Sequence, residues 1–117
     1  MKLTDYSPNK NNFYYSTTPI MHRSQTDFDK VTKMFEVMIC SKDVKERFVS
    51  GESIQHDYMR VPYPELLKIK SYAKPVSSDD LSKMIQKILK HNSMAESKKI
   101  DYKALFDPIL ERYGDLK

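Results

Sequence analysis

Residues that could bind a metal ion are few and widely spaced in this chain. They are Cys40, His22, His56 and His91, and none of them forms a C-x-x-C, H-x-x-x-H or H-E-x-x-H pattern. Folding could still bring His56, Asp57 and His91 together. The competing interpretation is that these histidines are surface or hydrogen-bonded side chains. We therefore predict no metal site.

Candidate catalytic groups have simpler explanations in the same sequence. Cys40 ends an apolar segment, where a small core residue is more common than a nucleophile. Asp79 and Asp80 could act as a general acid and base, but they stand at a predicted helix start, where carboxylates complement the helix dipole. The two glycines form no phosphate-binding loop. We therefore predict no catalytic residue, no cofactor and no small-molecule substrate.

The charge of the chain permits nucleic-acid binding without requiring it. The 20 Lys and Arg residues and 16 Asp and Glu residues give a net charge of +4, which is not concentrated in one basic block. A lysine-rich helix face is the main candidate for phosphate contact. It comprises Lys83, Lys87 and Lys90, with Lys98 and Lys99 nearby. A solvated helix face explains the same residues, so sequence-tolerant nucleic-acid binding is the alternative function.

The first 23 residues contain the densest aromatic cluster of the chain, in a segment that has no regular periodicity. Two prolines and several asparagines and threonines interrupt it, which is typical of an extended arm. Large apolar side chains such as Phe13, Tyr14 and Tyr15 gain roughly 1.5 to 3 kcal/mol each on burial. We therefore expect the arm to pack against either the protein's own core or a partner.

A second candidate partner surface is the irregular passage 52–67, where Pro62 and Pro64 prevent a continuous helix. Inside it we predict a strand-like stretch over residues 58–61. Aromatic, Met and Arg side chains anchor many protein interfaces. The predicted partner-binding residues are Phe13, Tyr14 and Tyr15 of the arm, and Tyr58, Met59, Arg60 and Tyr63 of this passage.

Apolar residues spaced by three and four predict helices for most of the remaining chain. The first predicted helix covers residues 26–40. A short second helix follows Ser41 and ends at Gly51, since glycine suits a left-handed C-cap. A third helix covers 64–73 and a fourth covers 78–92, and a last segment spans 100–114.

These segments predict an all-α or mainly α fold, a small bundle of four to five short helices. Residues 1–23 would form an extended N-terminal arm and 24–117 a single helical domain. Two glycines in 117 residues argue against sheet-rich folds, whose tight hairpins use glycine.

The same sequence predicts where the protein works and what it does. One cysteine and the lack of a run of about 18 apolar residues predict a cytoplasmic or nuclear protein that does not contact membranes. Without a catalytic motif, the predicted function is a non-enzymatic interaction subunit or adaptor of a larger protein complex.

Overall fold

The computed structural model of the chain describes residues 3–23, 26 and 30–94. Within these residues the fold is a five-stranded sheet with three α-helices, so the prediction of an all-α bundle is wrong. After a 3-10 turn at Leu3–Asp5, the elements are β1 (Asn11–Ser16), β2 (Ile20–Arg23), β3 (Val31–Ser41), α1 (Val44–Ser50), β4 (His56–Pro62), α2 (Tyr63–Leu67), β5 (Lys74–Val76) and α3 (Ser78–Met94).

Strand β3 replaces the helix that the spacing predicted over residues 26–40. Its side chains alternate between two buried faces, with Val37 and Ile39 in one hydrophobic cluster and Met38 and Cys40 in the other. A strand buried on both faces has a nearly continuous apolar run. Such a run also satisfies helical spacing, which is why periodicity alone did not distinguish the two structures.

The predicted N-terminal arm forms part of the same sheet. Strand β1 lies between β3 and β5, antiparallel to β3 and parallel to β5. Its Phe13 and Tyr15 belong to one buried cluster and Tyr14 to the other. Aromatic side chains suit a strand that is buried on both sides. The arm therefore packs on the protein's own core.

Strand β2 continues β1 along the same edge of β3 after an interruption. Strand β1 pairs with residues 37–41 of β3, and β2 pairs with residues 31–34. Four residues, 16–19, thus lie opposite only Phe35 and Glu36. The Ser16 hydroxyl accepts a hydrogen bond from the Glu36 amide at 3.1 Å, replacing a ladder bond at the break. Strand β4 pairs with the other edge of β3, which gives the order β4-β3-β1-β5.

Few glycines suffice for this sheet because helices provide two of its connections. The chain passes through α1 between β3 and β4, and through α2 between β4 and β5. Gly51 is the one residue of the described chain with positive φ, 82°, where it caps α1. The premise that a sheet needs glycine-rich hairpins was therefore wrong for this topology.

Helices cover the sheet on both sides, so the fold has three layers. One hydrophobic cluster lies on each face of the sheet. We call the sheet face under α1 and α3 the α3 face, and the opposite one, under α2 and the 3-10 turn, the α2 face. Buried residues of the α3 face are Tyr14, Met38, Cys40, Val44, Phe48, Ile54, Val76, Leu81, Met84 and Ile88. Those of the α2 face are Leu3, Phe13, Tyr15, Val37, Ile39, Val61, Leu66, Ile69 and Ala73.

Several local predictions agree with the structure. Helix α1 ends at the predicted glycine cap, and β4 contains the predicted strand over 58–61. Helix α3 buries Leu81, Met84 and Ile88 as its periodicity indicated. Helix α2 is shorter than the predicted 64–73, because turns follow it and β5 begins at Lys74. The predicted segment 100–114 lies outside the described residues.

Candidate interaction surface

Exposed apolar side chains follow the second half of the edge strand β4 and the residue after it. Of these, Tyr58 is 39% exposed and Tyr63 is 43% exposed. The surface consists of Tyr58, Met59, Arg60 and Tyr63, and we call it the open sheet end. Aromatic and Met side chains around an Arg match the composition of protein interfaces.

Packing holds part of the open sheet end in place. The Tyr63 ring lies 5.7 Å from the Phe35 ring, between centroids, and the Lys70 ammonium lies 5.6 Å from the Tyr63 centroid. Met59 packs against the buried cluster of the α2 face. Contacts of this kind limit the rotamers of a side chain before it binds, which lowers the entropy lost on association. The Tyr63 ring is therefore a partly preorganised anchor.

Tyr58 and Arg60 lie side by side on the α3 face of strand β4. Tyr58 is paired in register with Met38, and Arg60 with Glu36. Both side chains are exposed, because β4 is an edge strand at the rim of the buried cluster that contains Met38. An aromatic ring and a guanidinium group are thus presented two residues apart on one face.

The structure separates the seven predicted partner-binding residues into two groups. Tyr58, Met59, Arg60 and Tyr63 follow one edge of the sheet, with Tyr58 and Arg60 on the α3 face and Met59 on the α2 face. Phe13, Tyr14 and Tyr15 are instead buried in the core, and the Phe13 ring packs edge-on against Tyr72 at 5.1 Å. These three side chains have no exposed surface on which a partner could bind in this fold.

Cys40 has the character of a core residue. Its side chain is buried on the α3 face beneath α1 and α3. Burial raises the pKa of the Cys40 thiol to about 12. The thiolate required of a nucleophile is therefore strongly disfavoured at neutral pH.

The predicted lysine face is present on α3. Lys83, Lys87 and Lys90 follow one another at intervals of four and three residues, so they lie on one side of the helix. Burial, together with the neighbouring charge of Lys83, lowers the pKa of the Lys87 ammonium. Lys98 and Lys99 lie outside the described residues, so the face comprises three described lysines.

An open cavity of about 430 Å³ lies at the other end of β4. Its lining residues are Tyr6, Asn11, Ile39, Ile54, Gln55, His56, Asp57 and Asn92. The Tyr6 hydroxyl donates a hydrogen bond to the Asp57 carboxylate, and burial together with Asp57 raises the Tyr6 pKa to about 12. Tyr6 therefore stays a neutral hydrogen-bond donor that joins the N-terminal turn to β4.

The polar groups around this cavity mainly hold the fold together. Asn92 accepts from the Ile54 amide at 2.7 Å and donates to the Ile54 carbonyl at 2.8 Å. His91 is buried, contacts the Glu52 carbonyl through Nε2 and packs against Phe48. No group of three or more His, Cys, Asp or Glu side chains suited to a metal ion occurs among the described residues.

Comparisons with known proteins add no family assignment. No protein-family model, curated protein or solved structure matches the chain. Within the described residues, every helix is too short or too polar to cross a lipid bilayer.

Proposed function

We propose that this chain is a non-enzymatic protein-interaction subunit that binds a partner protein through the open sheet end. The observation that carries the proposal is the exposure of Tyr58 on the edge strand β4 and of Tyr63 just after it, beside the exposed Arg60 and the half-buried Met59. Apolar side chains gathered in this way gain free energy when a partner covers them. We place its site of action in the cytoplasm or nucleus, since its single cysteine, Cys40, is free and buried.

The charges around the open sheet end indicate the chemistry of the partner. Of the described charged side chains near β4 and α2, the cationic ones are Arg60, Lys68 and Lys70, and the anionic ones are Glu36, Asp57 and Glu65. Complementary charges at the rim of an interface speed association and select partners. The partner surface should therefore combine apolar residues with charges of both signs.

Truncating the two tyrosines tests the proposal. In Tyr58→Ser with Tyr63→Ser, we expect partner binding to weaken by roughly 100-fold or more, because an aromatic hot spot is worth about 2 kcal/mol. The measurement is quantitative mass spectrometry of proteins co-purified from the source cells after nuclease treatment. The matched control is Leu89→Ser, since Leu89 is 53% exposed on α3. Equal capture by the double variant and wild type would refute the proposal.

The lysine face of α3 supports nucleic-acid binding as the second candidate function. Lys83 and Lys87 lie one turn apart on α3, and burial together with the charge of Lys83 lowers the pKa of the Lys87 ammonium. Lys83→Glu with Lys87→Glu would then abolish retention of single-stranded nucleic acid, and retention by wild type would fall steeply with salt. In the same co-purification, loss of all partners on nuclease treatment would favour this function over the first.

A further inference from the structure

The backbone of β4 has an outward edge, and the hydrogen-bond pattern identifies its residues. The Ser41 amide donates to the Gln55 carbonyl at 3.4 Å, one step beyond the pair of Cys40 with His56. Antiparallel pairs alternate between bonded and non-bonded. Odd-numbered residues of β4 therefore bond to β3, and the N–H and C=O groups of His56, Tyr58 and Arg60 point outward.

The opposite edge of β3 agrees with this assignment. The Lys42 amide donates to the Lys10 carbonyl at 3.2 Å, and the Glu36 amide donates to the Ser16 hydroxyl. The backbone N–H groups of the even-numbered residues 36 and 42 thus point toward β1. The backbone groups of the odd-numbered residues of β3 must then bond to β4, which agrees with the hydrogen bond from Ser41 to Gln55.

Strand β4 has few of the devices that protect sheet edges. Among the described strands, β4 pairs only with β3, and its seven consecutive residue pairs contain no bulge. It contains no lysine, and Pro62, which lacks an N–H group, stands only at its last position. A regular open edge flanked by exposed Tyr58 and Arg60 can accept another strand.

We propose that a second copy of this chain binds here, β4 against β4 in antiparallel orientation, about a twofold axis at Met59. The inference rests on the proposed function and names the partner. In this register, Tyr58 of each copy lies opposite Arg60 of the second copy, and each such pair exchanges two backbone hydrogen bonds. Met59 lies opposite Met59 of the second copy on the α2 face.

Side-chain complementarity selects this register over its neighbour. An axis at Tyr58 would place His56 rather than Tyr58 directly opposite Arg60 of the second copy, so the guanidinium would not face one of the Tyr, Trp or Phe rings that favour cation–π attraction. An axis at Met59 instead places each guanidinium beside an aromatic ring, where cation–π attraction is favourable. Because a twofold axis repeats every contact, this one favourable pairing occurs twice.

Cysteine crosslinking tests the pairing and its register together. With the axis at Met59, the two residues 59 form a non-bonded pair with Cα atoms about 4.5 Å apart, within the range of a disulfide. We expect oxidised Met59→Cys to run almost entirely as a covalent dimer on a non-reducing gel. Tyr58→Cys should remain monomeric, since diagonal Cα atoms about 7 to 8 Å apart are too distant for a disulfide.

Two controls make the result decisive. Leu89→Cys places an exposed thiol on α3 and measures crosslinking by random collision, and the native Cys40 is buried and does not react. Sedimentation equilibrium of the unmodified protein should show a dimer at high concentration. A monomer at every concentration, with no more crosslinking at 59 than at 89, would overturn the inference. If Tyr58 and Tyr63 were still required to capture other proteins, the proposed function would survive that failure.

Discussion

Tyr14→Ala is expected to lower the free energy of unfolding by about 3 to 5 kcal/mol, the range for removing a buried aromatic ring. Tyr14 is 1% exposed and pairs with Met38 of β3 and Lys74 of β5, so its ring lies in the middle of the sheet. This loss is a large part of the stability of an ordinary domain. Urea unfolding, followed by circular dichroism, measures it.

Tyr14→Phe is the matched control for that substitution. Burial raises the pKa of the Tyr14 phenol, and its hydroxyl has no hydrogen-bond partner among the described residues. A buried hydroxyl without a partner costs about 1 to 3 kcal/mol, so the phenylalanine variant should be at least as stable as wild type. If alanine were tolerated as well as phenylalanine, Tyr14 would not belong to the core.

Met38→Ala and Ile39→Ala are each expected to lower the free energy of unfolding by roughly 2 to 5 kcal/mol. The two neighbours point to opposite faces of β3, and both faces are buried. An amphipathic helix over the same residues would instead place Ile39 off its apolar stripe and tolerate its truncation. Urea unfolding of both variants distinguishes the two structures.

A matched exposed position makes this comparison quantitative. Val49 is an exposed apolar residue on α1, and Val49→Ala should change the stability by no more than about 0.5 kcal/mol. Equal tolerance at Ile39 and Val49 would contradict the placement of β3 at the centre of the sheet.

Local signals predicted the elements whose ends are fixed by particular residues. Gly51 marked the end of α1 through its left-handed conformation. The fourth predicted helix begins at residue 78, and the Ser77 hydroxyl just before α3 accepts from the Asp80 amide at 3.2 Å. The third begins at Pro64, which lies in the first turn of α2. Each of these effects acts within a few residues, so the sequence alone is sufficient to find them.

The elements that were predicted wrongly are those whose structure depends on pairing with distant parts of the chain. The run Val37, Met38, Ile39 and Cys40 suits either a helix or a strand, and it is a strand because β1 and β4 pair with it on both sides. Strand β1 likewise depends on β5, about 60 residues later in the chain. Periodicity contains no information about such partners.

Burial, which depends on long-range packing, divides the predicted partner-binding residues. The sequence singled out Tyr58, Met59, Arg60 and Tyr63 because prolines mark an irregular segment rich in interface residue types, and their partner-binding role stays a prediction. Phe13, Tyr14 and Tyr15 share that composition, yet burial removes them from the surface. The contacts of Tyr6 with Asp57 and of Asn92 with Ile54 join residues 51 and 38 positions apart, and no local pattern indicates them.

The most direct test of the open sheet end is amide hydrogen exchange along β4 by NMR, at low and high protein concentration. At low concentration, Asp57, Met59 and Val61 should be protected, while Tyr58 and Arg60 exchange quickly because their N–H groups point outward. At high concentration, Tyr58 and Arg60 should become protected as the edge is covered. Protection that is uniform along β4 and independent of concentration would contradict an open edge that binds another chain.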